Sequence, residues 1–141
     1  MSARRFLPAL IAALGLALAT GAQSQAPAPE ASVFGLWRNP KGSVEVDIRP
    51  CGANACGTIV WANAKAKEDA RKAGTKELIG LQVFRDLRQD QSGAWRGRVF
   101  APDMGMTFSG TARLVGAQNL RAKGCVLAGI ICKSQLWTRV G

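Results

Sequence analysis

Apolar and polar residues alternate at every second position through most of the chain. The alternation is clearest between residues 43 and 49, where Val44, Val46 and Ile48 are separated by charged side chains. Such a period predicts strands with one buried and one solvent-facing side. Comparable segments, separated by turn-forming Gly, Pro, Asn and Asp, lie at residues 34–39, 43–49, 57–61, 78–88, 95–99, 106–114, 120–123 and 135–140.

About eight strands at intervals of roughly 8 to 12 residues are typical of an all-β sandwich or barrel. An antiparallel up-and-down β-barrel is favoured, because a closed sheet has no exposed edges. Residues 63–73 break the alternation and predict at most one short helix, with Asn63 as its N-cap, an ion pair between Glu68 and Lys72, and Gly74 at its end. The alternation of apolar and polar residues is interrupted at residues 83–85, which predicts a β-bulge.

The first 26 residues differ from everything that follows. Arg4 and Arg5 precede an apolar run at residues 6–19, and small residues then offer a cleavage site. This is typical of a secretory signal peptide, and the run is shorter than the roughly 20 residues of a membrane-spanning helix. We therefore predict that residues 1–26 are removed, that 27–32 form a flexible lead, and that 33–141 form a single barrel domain. The protein is expected to be periplasmic or secreted, without a transmembrane span.

Residues 27–141 are strongly basic. They contain 17 Lys and Arg against 9 Asp and Glu, a net charge of +8. This bias favours attraction to an anionic glycan or lipid surface or to an anionic ligand, although it also serves solubility. The alternation predicts that five cations share one solvent-facing side of consecutive strands and form a basic face: Arg96, Arg98, Arg113, Arg121 and Lys123.

The four cysteines predict disulfides, because exported chains fold in an oxidising compartment. Three pairings are possible. We favour the local ones, Cys51 with Cys56 and Cys125 with Cys132, because each couple flanks a turn. Zinc is the alternative, but the spacings are not of the Cys-x-x-Cys type and the chain has no His. No metal site is predicted.

The segment between Cys125 and Cys132 is almost wholly apolar, which is unusual for a turn. The favoured interpretation is that it folds over one end of the barrel and completes the core. The alternative is that Leu127 and Ile130 stay exposed as a docking or ligand-gating tip, held in shape by the disulfide.

The two ends of the predicted barrel carry a recognisable pair. Gly35-Leu36-Trp37 on the first strand and Arg139 on the last resemble calycin-type barrels (lipocalins and relatives), in which a guanidinium lies across the indole face. This predicts that Trp37 and Arg139 form a structural clamp. The alternative is a core aromatic residue and an unrelated surface charge.

The chain from Phe34 to Val140 also resembles the bacterial exported family known as domain of unknown function 2147. The resemblance is carried by Gly35-Leu36-Trp37, Cys56-Gly57-Thr58-Ile59-Val60-Trp61, Gly93-Ala94-Trp95-Arg96-Gly97, Pro102-Asp103-Met104-Gly105 with Phe108, and Ser134-Gln135-Leu136-Trp137-Thr138-Arg139-Val140. It implies a lipocalin-like barrel and an envelope address, and no catalytic residues. One departure is the basic stretch between Trp61 and Leu78, where the family pattern implies an acidic loop with Pro and Asn.

No catalytic residue and no cofactor are predicted. The chain has no His and no Tyr, its serines have no evident activating base, and no Gly-rich phosphate loop or nucleic-acid module occurs. The favoured function is an exported binding module, expected to be a monomer, that takes a small apolar or anionic ligand into the barrel mouth. The alternative is an envelope interaction protein with a solid barrel that docks through its basic face or apolar loop. An enzyme is third.

Overall fold

The computed structural model describes residues 31–141, in which eight antiparallel strands close into a barrel in chain order. The elements are β1 (Gly35–Arg38), β2 (Val44–Cys51), β3 (Asn54–Ala62), α1 (Ala64–Lys72), β4 (Gln82–Gln89), β5 (Trp95–Ala101), β6 (Met106–Val115), β7 (Asn119–Val126) and β8 (Ile131–Arg139). This confirms the predicted up-and-down barrel with one short helix. The predicted signal peptide and residues 27–30 lie outside the described part of the chain.

The barrel has two different ends. The closed end holds the β2–β3, β4–β5 and β6–β7 turns, together with the last residues of β8. The other end, here called the mouth, holds the β1–β2, β5–β6 and β7–β8 turns and α1. Gly105 in the β5–β6 turn lies so close to the helix end that an added Cβ would meet the Ala73 carbonyl oxygen at 2.7 Å. The turn and α1 therefore lie side by side at the mouth.

The half of the barrel near the closed end is filled by side chains. Five of these side chains, each from a different strand, are fully buried: Trp37, Ile48, Ala55, Leu87 and Leu120. Glycines on the inner wall make room for large neighbours, because a Cβ on Gly57 would meet the Phe84 ring at 2.5 Å. The barrel is thus solid in this half, as small eight-stranded barrels can be.

The helix follows its predicted signals. Asn63 caps α1 by accepting a hydrogen bond from the backbone N–H of Ala66 at 2.8 Å, and Lys72 pairs with Glu68 at 2.8 Å. Gly74 follows with a φ of +97°, which glycine adopts without strain. Ala70 is the side chain of the helix that enters the core. Small alanines on this side let α1 pack closely on the barrel.

The strand β4 is shorter and more irregular than its sequence pattern. Residues 78–81, predicted as strand, form a turn, and the strand begins at Gln82. A register shift between Arg85 and Arg88 confirms the bulge, which lies slightly later than the predicted 83–85, with Asp86 at a φ of +49°. The bulge fits against Gly97, where a Cβ would meet the Arg85 carbonyl oxygen at 2.6 Å.

Both local disulfides are confirmed. Cys51 is bonded to Cys56 in the β2–β3 hairpin at the closed end, and Cys125 to Cys132 in the β7–β8 hairpin at the mouth. Residues 31–141 contain no free cysteine. The two bonds therefore secure a hairpin at each end of the barrel.

The favoured interpretation of the apolar segment between Cys125 and Cys132 was wrong. The strands β7 and β8 continue to Val126 and Ile131, so the segment is a tight turn rather than a lid. Leu127 is 66% exposed and Ile130 is 82% exposed. The turn also lies at the mouth, at the opposite end of β8 from Arg139, and completes no core there. Strand pairing up to Val126 and Ile131 leaves too little chain to fold back over the barrel.

Candidate functional site

The predicted clamp closes the barrel at the end opposite the mouth. The guanidinium carbon of Arg139 lies 4.2 Å from the centre of the Trp37 ring, and the two residues are paired in the β1–β8 ladder. Arg139 also donates hydrogen bonds to the carbonyl oxygens of Phe34 at 2.9 Å and Ala117 at 2.9 Å, and to that of Ser32. One side chain thus ties together the first strand, the last strand and the β6–β7 turn.

A glycine makes this arrangement possible. Gly35 has a φ of +132°, and a Cβ there would meet Arg139 Nη1 at 2.5 Å. The indole N–H of Trp37 donates to the Val33 carbonyl oxygen at 2.8 Å, so the chain entering β1 is held beneath the ring. The Gly-x-Trp motif is explained by these contacts. The indole N–H of the motif is occupied by a contact within the protein.

The mouth opens into a cavity of about 370 Å³, within the range of small-molecule sites. Its floor is formed by Phe84 and Trp137, whose rings meet edge to face at 5.7 Å. Apolar side chains from four strands and from the loop after α1 line its wall: Val44, Val46, Ile59, Leu78, Val83 and Val99. The barrel is therefore solid towards the closed end and hollow towards the mouth.

The polar residues of the cavity lie around the apolar wall. Asn39 is occupied by the β1–β2 turn, where its side chain bonds Ser43 and Val44. On β8, Gln135 accepts a hydrogen bond from the indole N–H of Trp137 at 3.2 Å. Gln135 makes no other side-chain hydrogen bond within residues 31–141, so its amide N–H groups are available to a ligand.

Charged side chains at the rim largely balance one another. Lys65 Nζ lies 2.8 Å from a carboxylate oxygen of Asp69, one helical turn further along α1. The hydrogen bond between them raises the pKa of Lys65 and lowers the pKa of Asp69. Lys41 and Asp103 complete the charged lining with one charge of each sign. The rim is polar without a strong net charge.

The lining of the mouth can bind a small molecule. Residues 31–141 contain no group of three metal-ligating side chains, and none of their buried side-chain polar atoms lacks a partner. Apolar wall residues provide contact area, and the few polar groups at the rim fix orientation.

The predicted basic residues lie together on the outer wall. Arg96 is aligned through Thr111 with Lys123, and Arg113 is paired directly with Arg121, across β5, β6 and β7. Arg98 lies on the same side, two residues nearer the mouth, and all five side chains are exposed. The outer face also holds a shallow depression whose lining includes Arg96, Arg113 and Lys123 as well as the β7–β8 turn residues 127–129. The structure therefore places part of the predicted basic face next to Leu127.

Two of these cations also support the β4–β5 turn. Arg96 Nε lies 2.5 Å from Asp90, and Arg113 donates to the Ser92 hydroxyl at 2.7 Å. Hydrogen bonds from Ser92 and then from Arg96 lower the pKa of Asp90 well below its ordinary value. Arg98 has a longer approach of 3.9 Å to Asp86. The basic face is accordingly less available for binding near Asp90 than near Lys123.

Sequence reasoning did not identify the lining of the mouth. It predicted only a short helix at residues 63–73, with no part in a binding site, whereas Asn63, Lys65 and Asp69 reach the cavity. Two signals were present in the sequence. The small apolar residues Ala66 and Ala70 mark the inner side of the helix. Gln135 lies two residues before Trp137 and therefore on the same side of its strand. Neither signal shows by itself that the barrel is open above Phe84.

One family model matches the part of the chain that forms the barrel. Residues 35–139 match the family described as uncharacterized protein conserved in bacteria (DUF2147). The chain belongs to the DUF2147 family. No curated protein sequence matches this DUF2147 chain.

A solved structure resembles it. That structure is protein HP1028 of Helicobacter pylori, described as belonging to the lipocalin family, with a TM-score of 0.61 over 79% of this chain and 84% of the other. The two sequences are 11% identical, so the likeness shows a shared lipocalin-like fold. Within residues 31–141, no helix is long and apolar enough to cross a bilayer.

Proposed function

We propose that this DUF2147 protein is an exported binding protein that takes a small molecule with an apolar body and a polar end into the barrel mouth. The observation that carries the proposal is the cavity above the Phe84 and Trp137 rings, with an apolar wall and a polar rim. Because the rim charges largely cancel, the apolar body is expected to supply most of the affinity. The two disulfides support an oxidising compartment such as the periplasm.

The wall chemistry favours an apolar body over a fully charged ligand. Burying a charge without a partner is strongly unfavourable, and Lys65 is already paired with Asp69. Gln135 and the rim provide hydrogen-bonding groups for one polar end of the ligand. Two disulfides and the clamp hold the barrel in shape, so little ordering free energy is spent when a ligand binds.

The test fills the mouth without changing the rest of the barrel. Ala101 lines the cavity at the end of β5, so Ala101→Trp should weaken binding of the neutral apolar dye N-phenyl-1-naphthylamine by about tenfold or more, measured by its fluorescence. The matched control is Ala53→Trp, in the exposed β2–β3 turn at the closed end.

Native mass spectrometry of protein purified from its own host gives an independent readout. A small molecule that co-purifies with wild type and with Ala53→Trp, but not with Ala101→Trp, would support the mouth as the site. Equal dye binding by wild type and both variants, or no binding at all, would contradict the proposed function.

A further inference from the structure

The apolar turn between β7 and β8 is not required by the fold. Leu127 and Ala128 have φ values of +51° and +56°, a left-handed conformation in which Asn and Gly are the usual residues of a tight hairpin. Leu127 gains little burial in return, because 66% of its surface is exposed. A leucine at this position therefore carries backbone strain without a packing contact that offsets it, which points to a role outside the barrel.

Other exposed apolar side chains lie at the same end of the molecule. Ile130 and Ile131 follow Leu127 in its hairpin, and Met104 and Met106 lie at the tip of the β5–β6 hairpin, each about half exposed or more. Both hairpins end at the mouth. Isolated exposed apolar residues are common, but five on two hairpin tips at one end of a barrel indicate an interaction surface.

The wall that carries these tips is basic. Residues 82–138 contain eight Lys and Arg against three Asp and Glu, a net charge of +5. Four of these cations lie in the half nearer the mouth: Arg85, Arg98, Lys123 and Lys133. Lys133 lies two residues from Ile131, and Lys123 lies three residues from Val126. At the rise of a strand these cations lie roughly 7 to 10 Å from the turn. This is about the depth to which interfacial segments insert their apolar side chains, so the lysines would be level with lipid phosphates.

We propose that the mouth end of the barrel docks on an anionic lipid bilayer, with the β5–β6 and β7–β8 tips inserted between the headgroups and the neighbouring lysines against the phosphates. An apolar tip alone would fit any apolar partner, and a basic wall alone would fit any anion. Their spacing along the same hairpin fits the ordered layers of a membrane surface. The docked orientation turns the mouth towards the lipid. It does not require a ligand in the cavity.

The experiment is co-sedimentation of residues 27–141, which contain the whole barrel, with vesicles of phosphatidylcholine alone or mixed with phosphatidylglycerol. Wild type should bind the mixed vesicles, less so at high salt, and bind phosphatidylcholine weakly. The double variant Leu127→Asn, Ile130→Ser should lose about tenfold or more of this binding while its melting temperature stays the same or rises. The control Leu136→Ser, Val140→Ser removes two exposed apolar side chains from the closed half and should bind like wild type.

A charge variant separates the two parts of the surface. Lys133→Glu should reduce binding to the mixed vesicles, whereas Arg49→Glu, on β2, should change it less. Absence of vesicle binding, binding that the tip variant leaves unchanged, or a dimer that forms through the tips without lipid would each overturn the proposal. The Leu127→Asn, Ile130→Ser variant should bind the apolar dye like wild type, because neither residue lines the cavity. Failure of the proposed ligand site and failure of membrane docking therefore give different results.

Discussion

At the scale of single residues, Arg139 combines more interactions than any charge on the outer wall. Its guanidinium lies on Trp37 and donates to three carbonyl oxygens, two in the segment before β1 and one in the β6–β7 turn. Arg139→Ala and Trp37→Leu should each destabilise the barrel, the first by about 1 to 3 kcal/mol because it removes the cation from the ring and the partly buried hydrogen bond to the Phe34 carbonyl oxygen.

A double-mutant cycle measures the contact between these two residues. Because they touch, the losses should be non-additive by about 0.5 to 2 kcal/mol. The measurement is urea unfolding of the wild type, both single variants and the double variant. Additive losses would mean that the ring and the guanidinium do not stabilise each other in solution.

Asp90 is the residue with the clearest pH signature. Its pKa is lowered by hydrogen bonds from Ser92 and Arg96, so between its folded and unfolded pKa values the unfolded chain binds more protons. The stabilisation is therefore complete above about pH 5 and is lost as the pH falls below the ordinary value of about 3.9. Asp90→Asn should be less stable near neutral pH and should show a shallower loss towards acid.

The measurement is the urea midpoint as a function of pH. Ser92→Ala removes the hydroxyl group that donates to Asp90 and should also make the loss of stability at low pH shallower. Parallel profiles for wild type and Asp90→Asn would show that this carboxylate does not contribute to the pH dependence.

At the scale of elements, the β7–β8 hairpin contains a strained turn and, at the base of that turn, a disulfide between its two strands. Closing the short loop between Cys125 and Cys132 should contribute about 2 kcal/mol by restricting the unfolded chain. Cys125→Ser with Cys132→Ser should lower the melting temperature by several degrees.

Removing strain from the same hairpin should act in the opposite direction. Adding Leu127→Gly to the Cys125→Ser, Cys132→Ser variant should recover part of the lost melting temperature, since glycine adopts the positive φ of this turn without steric cost. Both effects can be read from thermal unfolding. A serine pair as stable as wild type, or a further loss on Leu127→Gly, would contradict this account of the hairpin.

At the scale of the whole molecule, the barrel divides into a packed half and an open half. The clamp and the buried side chains around it close one end, whereas the cavity, α1 and the apolar tips lie at the other. The clamp and the proposed binding surfaces therefore lie at opposite ends of the barrel axis. Changes at Trp37 should alter unfolding, changes at Ala101 should alter dye binding, and changes at Leu127 should alter vesicle binding.

The sequence by itself determined the elements that depend on local chemistry. The alternation around Val44, Val46 and Ile48 shows that one face of that strand is buried, and the spacing of the turns leaves a closed meander as the simplest way to cover every edge. The cysteines flank short turns, so their pairing needs only hairpin geometry. The Trp37 and Arg139 clamp was predictable from the resemblance to calycin-type barrels, and closure of the meander brings together the two strands that carry it.

Only the tertiary structure decided how the space inside and above the barrel is used. Whether a cavity remains above Phe84 depends on how side chains from β2, β3, β4, β5 and β8 fill the same volume, and no single strand contains that information. The exposure of Leu127 follows from how far β7 and β8 stay paired, which is set by register. Arg96 and Arg113 share a parity with Lys123, yet partners in the β4–β5 turn occupy them. Parity assigns a side of the sheet, but three-dimensional packing decides which groups on that side remain free to bind.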